Sequence, residues 1–327
     1  MNTPSHPFSI ARYLFDWEVE TPMRLPEYAG SALRGVFGAA LRRITCLTDA
    51  ATCAGCGITN TCPWSMIFEA PPPAERHAVQ HFARIPNPYI IEPPAWGKHH
   101  FHPGERLTFG MVLVGRALAQ LPLIILAWQR ALGRGVGHEN GTARLLGVRH
   151  VLPDGSEQVV YDPTVGVVID HAREISPASM LPSATERITL NLLTPLRIQR
   201  EGKPLGPGRL TPRDFLLTLA RRISLLAEFH AGVRLGLDFS DLTHRAEALT
   251  AHGSLGWRDW TRWSGRQQQE MTLGGVTGRW TLRGDLTPFW SLLYLGQWLH
   301  VGKNATFGLG RYWMMDDAAQ EKGGILV

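Results

Sequence analysis

Residues 20–25 read ETPMRL and residues 193–198 read LTPLRI, so Thr-Pro-apolar-Arg-apolar occurs twice, from Thr21 and from Thr194. Each copy follows a stretch with partial apolar alternation, ARYLFDWEVE in the first half and RITLNLL in the second, which predicts a strand. Each is followed, after a loop, by a helical pattern. The first starts at Ser31 as N-cap and places Leu33, Val36, Phe37, Ala40 and Leu41 on one face, with Arg34, Arg42 and Arg43 off it. The second has Thr211 as N-cap, Pro212 at the first helical position, Asp214 in the first turn and Gly232 beyond the end. A strand–loop–helix unit used twice predicts an α+β fold built from a duplicated module, such as the ferredoxin-like β-α-β-β-α-β arrangement.

The remaining segments fit two such modules. In the first half ERLTFGMVLVG reads as a strand, RALAQLPLIILAWQRAL as a helix ending in the glycine-rich GRGVGHENG, and VRHVLPDGSEQVVYD as a hairpin around Asp154 and Gly155. In the second half GGVTGRWTLRGD reads as a strand, LTPFWSLLYLGQWLH as a helix and ATFGLGRYWMM as the closing strand. The predicted boundaries are 1–184, carrying a cysteine loop at 46–62 and a hairpin extension, and 185–327, carrying a glycine-rich loop at 302–310.

Between the last helix and the closing strand lies HVGKNATFGLGRYW, from His300 to Trp313. Its glycines make a poor helix and an awkward strand, so the backbone here either turns tightly or approaches something too bulky to pass a side chain. Backbone N–H groups freed of side chains can meet phosphates, and Lys303 adds a point charge. The run is not a nucleotide-binding P-loop, because G-x-x-x-x-G-K-[ST] is absent and a helix, not a strand, precedes it.

Cys46, Cys53, Cys56 and Cys62 form C-x6-C-x2-C-x5-C on a loop of small and polar residues. Four thiolates with a C-x2-C knuckle suit one closed tetrahedral ion, structural Zn²⁺ first, with an iron–sulfur cluster as the alternative. In GWRDWTRWSGRQ, Trp257, Trp260 and Trp263 recur every third residue, while Arg258, Arg262 and Arg266 recur every fourth. On a helix these make adjacent stripes, the tryptophans read first as core and the arginines as candidate RNA contacts.

A net charge of +5 and thirteen histidines favour anionic partners. No charged and apolar leader opens the chain, and the longest apolar run, LPLIILAW, is far short of a membrane span, so a cytoplasmic protein without a membrane partner is expected. Neither paired carboxylates nor an H-E-x-x-H segment point to a catalytic metal.

With these parts in place the sequence resembles the CRISPR repeat-RNA-processing endoribonucleases, the sixth Cas family of the RAMP superfamily, in its zinc-bearing subgroup. The likeness is carried by YAGSALRGVFGAALRR, the cysteine loop closing on CPWSMIFE, PGERLTFGMVLVGRA with LGRGVG, the TPLRI strand, WRDWTRWSGRQ and, most specifically, GDLTPFWSLLYLGQWLHVGKNATFGLGRY. The resemblance implies two tandem ferredoxin-like domains whose glycine-rich loop contacts RNA. It also implies metal-independent cleavage of precursor CRISPR RNA within repeats, by 2′-hydroxyl attack that leaves a 2′,3′-cyclic phosphate and a 5′-hydroxyl. The expected catalytic residues are His300 as acid or base, Lys303 as phosphorane stabiliser and Tyr28 as auxiliary donor. The expected RNA contacts are Gly302, Lys303, Asn304, Gly308, Gly310, Arg311, Arg262, Arg266 and Arg34. No nucleotide cofactor is implied; partners are the repeat RNA or its processed product, with other Cas effector subunits as further candidates. The sequence departs from the family pattern in having no histidine between His6 and His77, where many members carry a catalytic one near the first helix. That gap leaves open a non-catalytic RNA-binding subunit of a CRISPR effector complex.

Overall fold

The computed structural model describes residues 9–50, 52–53, 55–69, 85–97, 100–171, 183–264 and 269–315. The first half contains β1 (Ile10–Val19), β2 (Met23–Arg24), α1 (Gly30–Thr45), the short α2 (Pro63–Phe68) and β3 (Tyr89–Glu92). It continues with β4 (His100–Phe101), β5 (Arg106–Val114), α3 (Leu121–Leu132), β6 (Ala143–Val151) and β7 (Glu157–Tyr161). The sheet order β3-β5-β1-β6-β7, with every neighbour antiparallel, is the ferredoxin-like order with β7 added at one edge.

The second half repeats it. There β8 (Arg187–Leu196), the small pair β9 (Gln199–Arg200) and β10 (Lys203–Pro204), and α4 (Pro212–Leu226) come first. Then follow α5 (Phe239–Glu247), β11 (Thr250–Ser264), β12 (Gln269–Arg283), α6 (Trp290–Leu299) and β13 (Tyr312–Met315). The sheet order is β11-β12-β8-β13, again antiparallel throughout.

Alternation explains the strands. On β1, Ala11, Tyr13, Phe15, Trp17 and Val19 face the core beneath α1 and α3, whereas Ile10 joins the core of the second domain. The helices begin where local chemistry sets them. At α4, Thr211 and Asp214 form a reciprocal capping box and Pro212 occupies the first turn. A π-turn then carries the chain to Gly232 at φ +69°. The start of α1 differs from the expected Ser31: Ala29 is the N-cap, with no side chain capping the helix.

Two further expectations change, and two elements are added. GWRDWTRW lies on β11, paired along its length with β12, so the threefold tryptophan spacing marks no helical stripe. On a strand successive side chains alternate, and accordingly Trp260 is buried while Trp257 is exposed. The closing strand is limited to Tyr312–Met315, because residues 305–307 form a 3₁₀ turn followed by two glycines of positive φ. Finally, YIIE and FSDLTHRAE, not singled out in the sequence, form β3 and α5.

The Thr-Pro repeat performs the same task in both domains. Thr21 Oγ1 accepts from Thr142 N at 2.9 Å, and Thr194 Oγ1 accepts from Arg311 N at 2.9 Å. In each case the repeat threonine pins the residue just before a strand that pairs with the first one, Thr142 before β6 and Arg311 before β13. The domains meet along two seams. One lies where Gly115 approaches the backbone of His230 so closely that a Cβ would sit 1.9 Å from its carbonyl oxygen. The other is the glycine-rich loop.

Candidate functional site

The glycine-rich loop leaves α6, crosses to the first domain and returns into β13. Its closest approaches are to protein. A Cβ on Gly310 would lie 1.8 Å from Val301 O, and one on Gly302 would lie 2.6 Å from Arg197 O. On Gly308 a Cβ would meet Tyr28 Oη at 2.5 Å and Ile91 O at 2.8 Å. All three glycines have positive φ. From the other side, Gly30 at the start of α1 leaves room for Phe307 O, which a Cβ would approach to 2.0 Å. The same carbonyl accepts from Tyr28 Oη at 3.0 Å.

These contacts correct part of the expected site. Gly308 and Gly310 are buried: the bare backbone admits Tyr28 and Ile91 of the first domain at Gly308 and the second domain's own Val301 at Gly310, rather than an RNA strand. Tyr28 is 2% exposed, its hydroxyl is committed to Phe307 O, and burial raises its pKa well above the ordinary value; it cannot serve as an auxiliary donor to substrate. His300 is wholly buried and cannot act on a phosphodiester from where it stands.

His300 belongs instead to a charged cluster sealed between the domains. Glu92, at the end of β3, pairs with Arg12 of β1 at 3.0 Å and accepts from His300 Nε2 at 3.1 Å. Arg311 contacts the same carboxylate at 3.5 Å. Arg12 also donates to Gln297 O at 2.9 Å and lies against the rings of Trp298 and Trp313. Burial raises the Glu92 pKa, but Arg12, Arg311 and His300 outweigh it and hold the carboxyl well below the usual range. Burial pulls His300 down to about 4 against the attraction of Glu92, so its imidazole is neutral near pH 7 and its Nδ1 has no partner. Burial likewise lowers Arg12, to about 10, which leaves it a cation.

What remains open to solvent is the loop tip and its rim. Lys303 is exposed, held by its own N–H to Arg197 O at 2.8 Å, and Gly302 and Asn304 beside it are partly exposed. Arg311 leaves 27% of its side chain exposed while resting on Trp313. Arg34 is half-buried: it donates to Tyr89 Oη at 3.1 Å and stacks on Phe68. The Arg262 side chain and all of Arg266 lie outside the described residues. Beside the tip, Tyr28, Trp260 and Phe307 form an aromatic cluster with Trp96, and Arg258 lies over the Trp96 ring. Glu92, Arg12, Gly30 and Trp96 were not singled out in the sequence. A usable signal was Arg12 in the middle of a hydrophobic strand.

Cys46, Cys53, Cys56 and Cys62 are free thiols lining one small cavity. Thr48 Oγ1 stands 4.0 Å from Cys46 Sγ and 3.7 Å from Cys56 Sγ. Four soft donors around one cavity are the right set for Zn²⁺, yet among the described residues no group of three or more potential ligands is drawn together tightly enough to hold an ion.

Among the described residues no helix is long and apolar enough to cross a membrane. A search of curated proteins finds no match. The AF_1859_N family, described as an N-terminal domain, matches residues 8–173. The family of the CRISPR-associated endoribonuclease Cas6 matches residues 190–312. Among solved structures, a Cas6 (TTHB231) product complex shares 18% identity over 94% of this chain and 100% of its own, with a TM-score of 0.58. Thermus thermophilus Cas6 (TTHB231) shares 17% over 95% and 100%, with a TM-score of 0.54. A partial Cas6-RT-Cas1–Cas2 complex shares 14% over 96% of this chain and 47% of its own, with a TM-score of 0.56. At such identities the structures establish a shared fold, two tandem ferredoxin-like domains, while the family matches speak to descent. The chain thus belongs to the AF_1859_N family through residues 8–173 and carries in residues 190–312 the domain of the CRISPR-associated endoribonuclease Cas6 family.

Proposed function

We propose that this protein cuts precursor CRISPR RNA within its repeats by attack of a ribose 2′-hydroxyl on the adjacent phosphate, without a catalytic metal. The P–O2′ bond forms as P–O5′ breaks; O2′ gives up a proton and O5′ takes one, leaving a 2′,3′-cyclic phosphate and a 5′-hydroxyl. The observation that carries the reading is the exposed Lys303 at the tip of a loop otherwise locked into the domain joint. A cation on so fixed a backbone can face the extra negative charge of the phosphorane without reorganising, and fixed charge of this kind is the main means by which such a site lowers its barrier. Gly302, Asn304 and Arg311 line the approach, and the Trp96–Arg258 pair offers a surface on which a base can stack. RNA binding is further supported by the likeness to a Cas6 product complex, and other Cas subunits are candidate partners through the likeness to a Cas6-RT-Cas1–Cas2 complex.

The test is single-turnover cleavage of labelled repeat RNA in EDTA. The expected product ends in a cyclic phosphate, and Lys303→Ala slows its formation by about 10²-fold with thermal stability unmoved. Cleavage that needs added Mg²⁺, or binding without cleavage, would defeat the reading.

We further infer that the four cysteines hold a closed structural Zn²⁺, which when bound cross-links a loop with little core of its own. Metal analysis of the purified protein is expected to show about one zinc per chain; a brown chromophore would assign the thiols to an iron–sulfur cluster instead.

A further inference from the structure

The helix layer of the first domain holds a second basic feature. Between the last turns of α1 and α3 lies a notch of about 400 Å³, within the size range of ligand sites. Among its lining residues the buried Ala40 and half-buried Ile44 give it an apolar floor beside Gln129, and Arg43, Arg130 and Arg134 surround it exposed. Gly30 touches the glycine loop, and Arg43 lies thirteen residues further along the same helix. At 1.5 Å per residue the notch stands about 20 Å from the joint.

All three arginines are exposed, and among the described residues none of their guanidinium groups has a carboxylate or hydrogen-bond partner. The carbonyl ends of two helices attract cations, which accounts for Arg43 and Arg130 singly. It does not account for Arg134, which lies past the end of α3, nor for the gathering of three like charges on one hollow. Such a gathering repels itself and is relieved when an anion enters. Guanidinium forks match phosphate oxygens two at a time, where a lysine offers only a point charge. The apolar floor suits the face of a base or ribose.

We propose that the α1–α3 notch is a second RNA-binding site that takes a phosphodiester segment flanking the cleaved nucleotide. The proposal rests on the RNA-processing reading above and extends it to a surface that the cleavage site does not use. An acidic protein segment would meet the same charges but gains less from an apolar floor shaped as a hollow.

The triple variant Arg43→Ala/Arg130→Ala/Arg134→Ala tests this, with binding measured across NaCl concentrations on two RNAs. One RNA spans only the cleavage site; the other adds flanking nucleotides. For the longer RNA, affinity should fall at least about tenfold, and the slope of log K against log[salt] should shrink by about 2, at roughly 0.7 per single-strand phosphate. The shorter RNA should be bound and cut within about twofold of wild type, since it does not reach the notch. Arg134→Ala alone, outside any helix, should remove about a third of the slope change and guards against a folding artefact. Unchanged affinity and slope on the longer RNA, in a variant that melts like wild type, would overturn the site and leave a protein partner for the arginines. Failure of wild type to bind either RNA would overturn the RNA reading, and the notch with it.

Discussion

The two domains each carry a glycine loop, between α3 and β6 in the first and between α6 and β13 in the second, and the two loops share the same backbone hydrogen bonds at their ends. In the first, Val136 N donates to Gly141 O at 2.9 Å; in the second, Val301 N donates to Gly310 O at 3.1 Å. His138 N bonds Arg24 O, and Lys303 N bonds Arg197 O, each acceptor being the arginine of a Thr-Pro repeat. Gly137 and Gly302 both press on those same carbonyls. Gly135-Val136-Gly137 thus corresponds to His300-Val301-Gly302, and Gly141 to Gly310. The difference is length: three residues, 138–140, separate the paired glycines in the first loop, and seven, 303–309, in the second. The longer insert carries Ala305, Phe307 and Leu309, all buried, with Phe307 and Leu309 packed beside Tyr28. A turn that merely closes a domain has been lengthened into a joint, and its tip left as an exposed lysine.

The largest effects follow from the shared geometry. Gly310→Ala forces a Cβ to 1.8 Å from Val301 O at φ +72°, on backbone that cannot step aside, and is expected to cost about 4 kcal/mol or more. Gly308→Ala has no counterpart in the first loop. Its clash is with Tyr28, Pro93 and Ile91, all in the first domain, so it should cost about 2–3 kcal/mol by loosening the joint. Denaturant titration with one probe per domain checks both. Gly310→Ala should shift the second domain's own transition, whereas two transitions expected to coincide in wild type should separate in Gly308→Ala. Coincident unfolding of the Gly308→Ala variant would mean the joint does not couple the domains.

A middle-sized effect tests what replaced a glycine. Where the first loop has Gly135 at φ +107°, the second has His300 at φ +54° and ψ 170°, a region that costs a side chain roughly 1–3 kcal/mol. The hydrogen bond to Glu92 holds it there. Glu92→Gln leaves Arg12 and Arg311 facing a neutral amide and is expected to destabilise by about 3 kcal/mol. The pH dependence has a fixed sign. The folded pKa values of Glu92 and His300 both lie below their unfolded ones, so the unfolded chain takes up protons first as pH falls and stability drops. For His300 the window runs from its unfolded value of 6.5 down to about 4, and the loss across it is up to about 3 kcal/mol. His300→Gln should flatten that slope by at most one proton. A slope that stays as steep would assign the titration to His150 and His230, which burial also lowers to about 4.

Local signals made the fold legible. The Thr-Pro repeat is readable because one hydroxyl must hold one N–H in each domain, and α4 is readable because its cap lies within four residues of itself. The joint was not readable by such means. Arg12 and Glu92 meet across eighty residues, and no spacing in the chain encodes that pairing. Glycine at 308 and 310 announces a close approach but not whose atoms approach, and here they are the protein's own. The tryptophans of β11 misled because a spacing of three fits one face of a helix, whereas on a strand it sends Trp257 and Trp260 to opposite faces.

The smallest effect asks whether the repeat does equal work in both copies. Thr21 is exposed, so in Thr21→Val the freed Thr142 N–H can turn to water, and the cost should be about 0.5 kcal/mol. Thr194 is half-buried and does more: it accepts from Arg311 N and donates to Gly308 O at 2.7 Å. In Thr194→Val both partners lose their bond beneath the loop, where water has less access, and the cost should be about 1–2 kcal/mol. Because those partners fix the C-terminal end of the insert, the variant should also loosen the loop that carries Lys303 and slow single-turnover cleavage by several-fold. If the two valine variants melt alike and cut alike, the second repeat is only a copy of the first, and the lengthened loop is held by Gly30, Tyr28 and Glu92 without it.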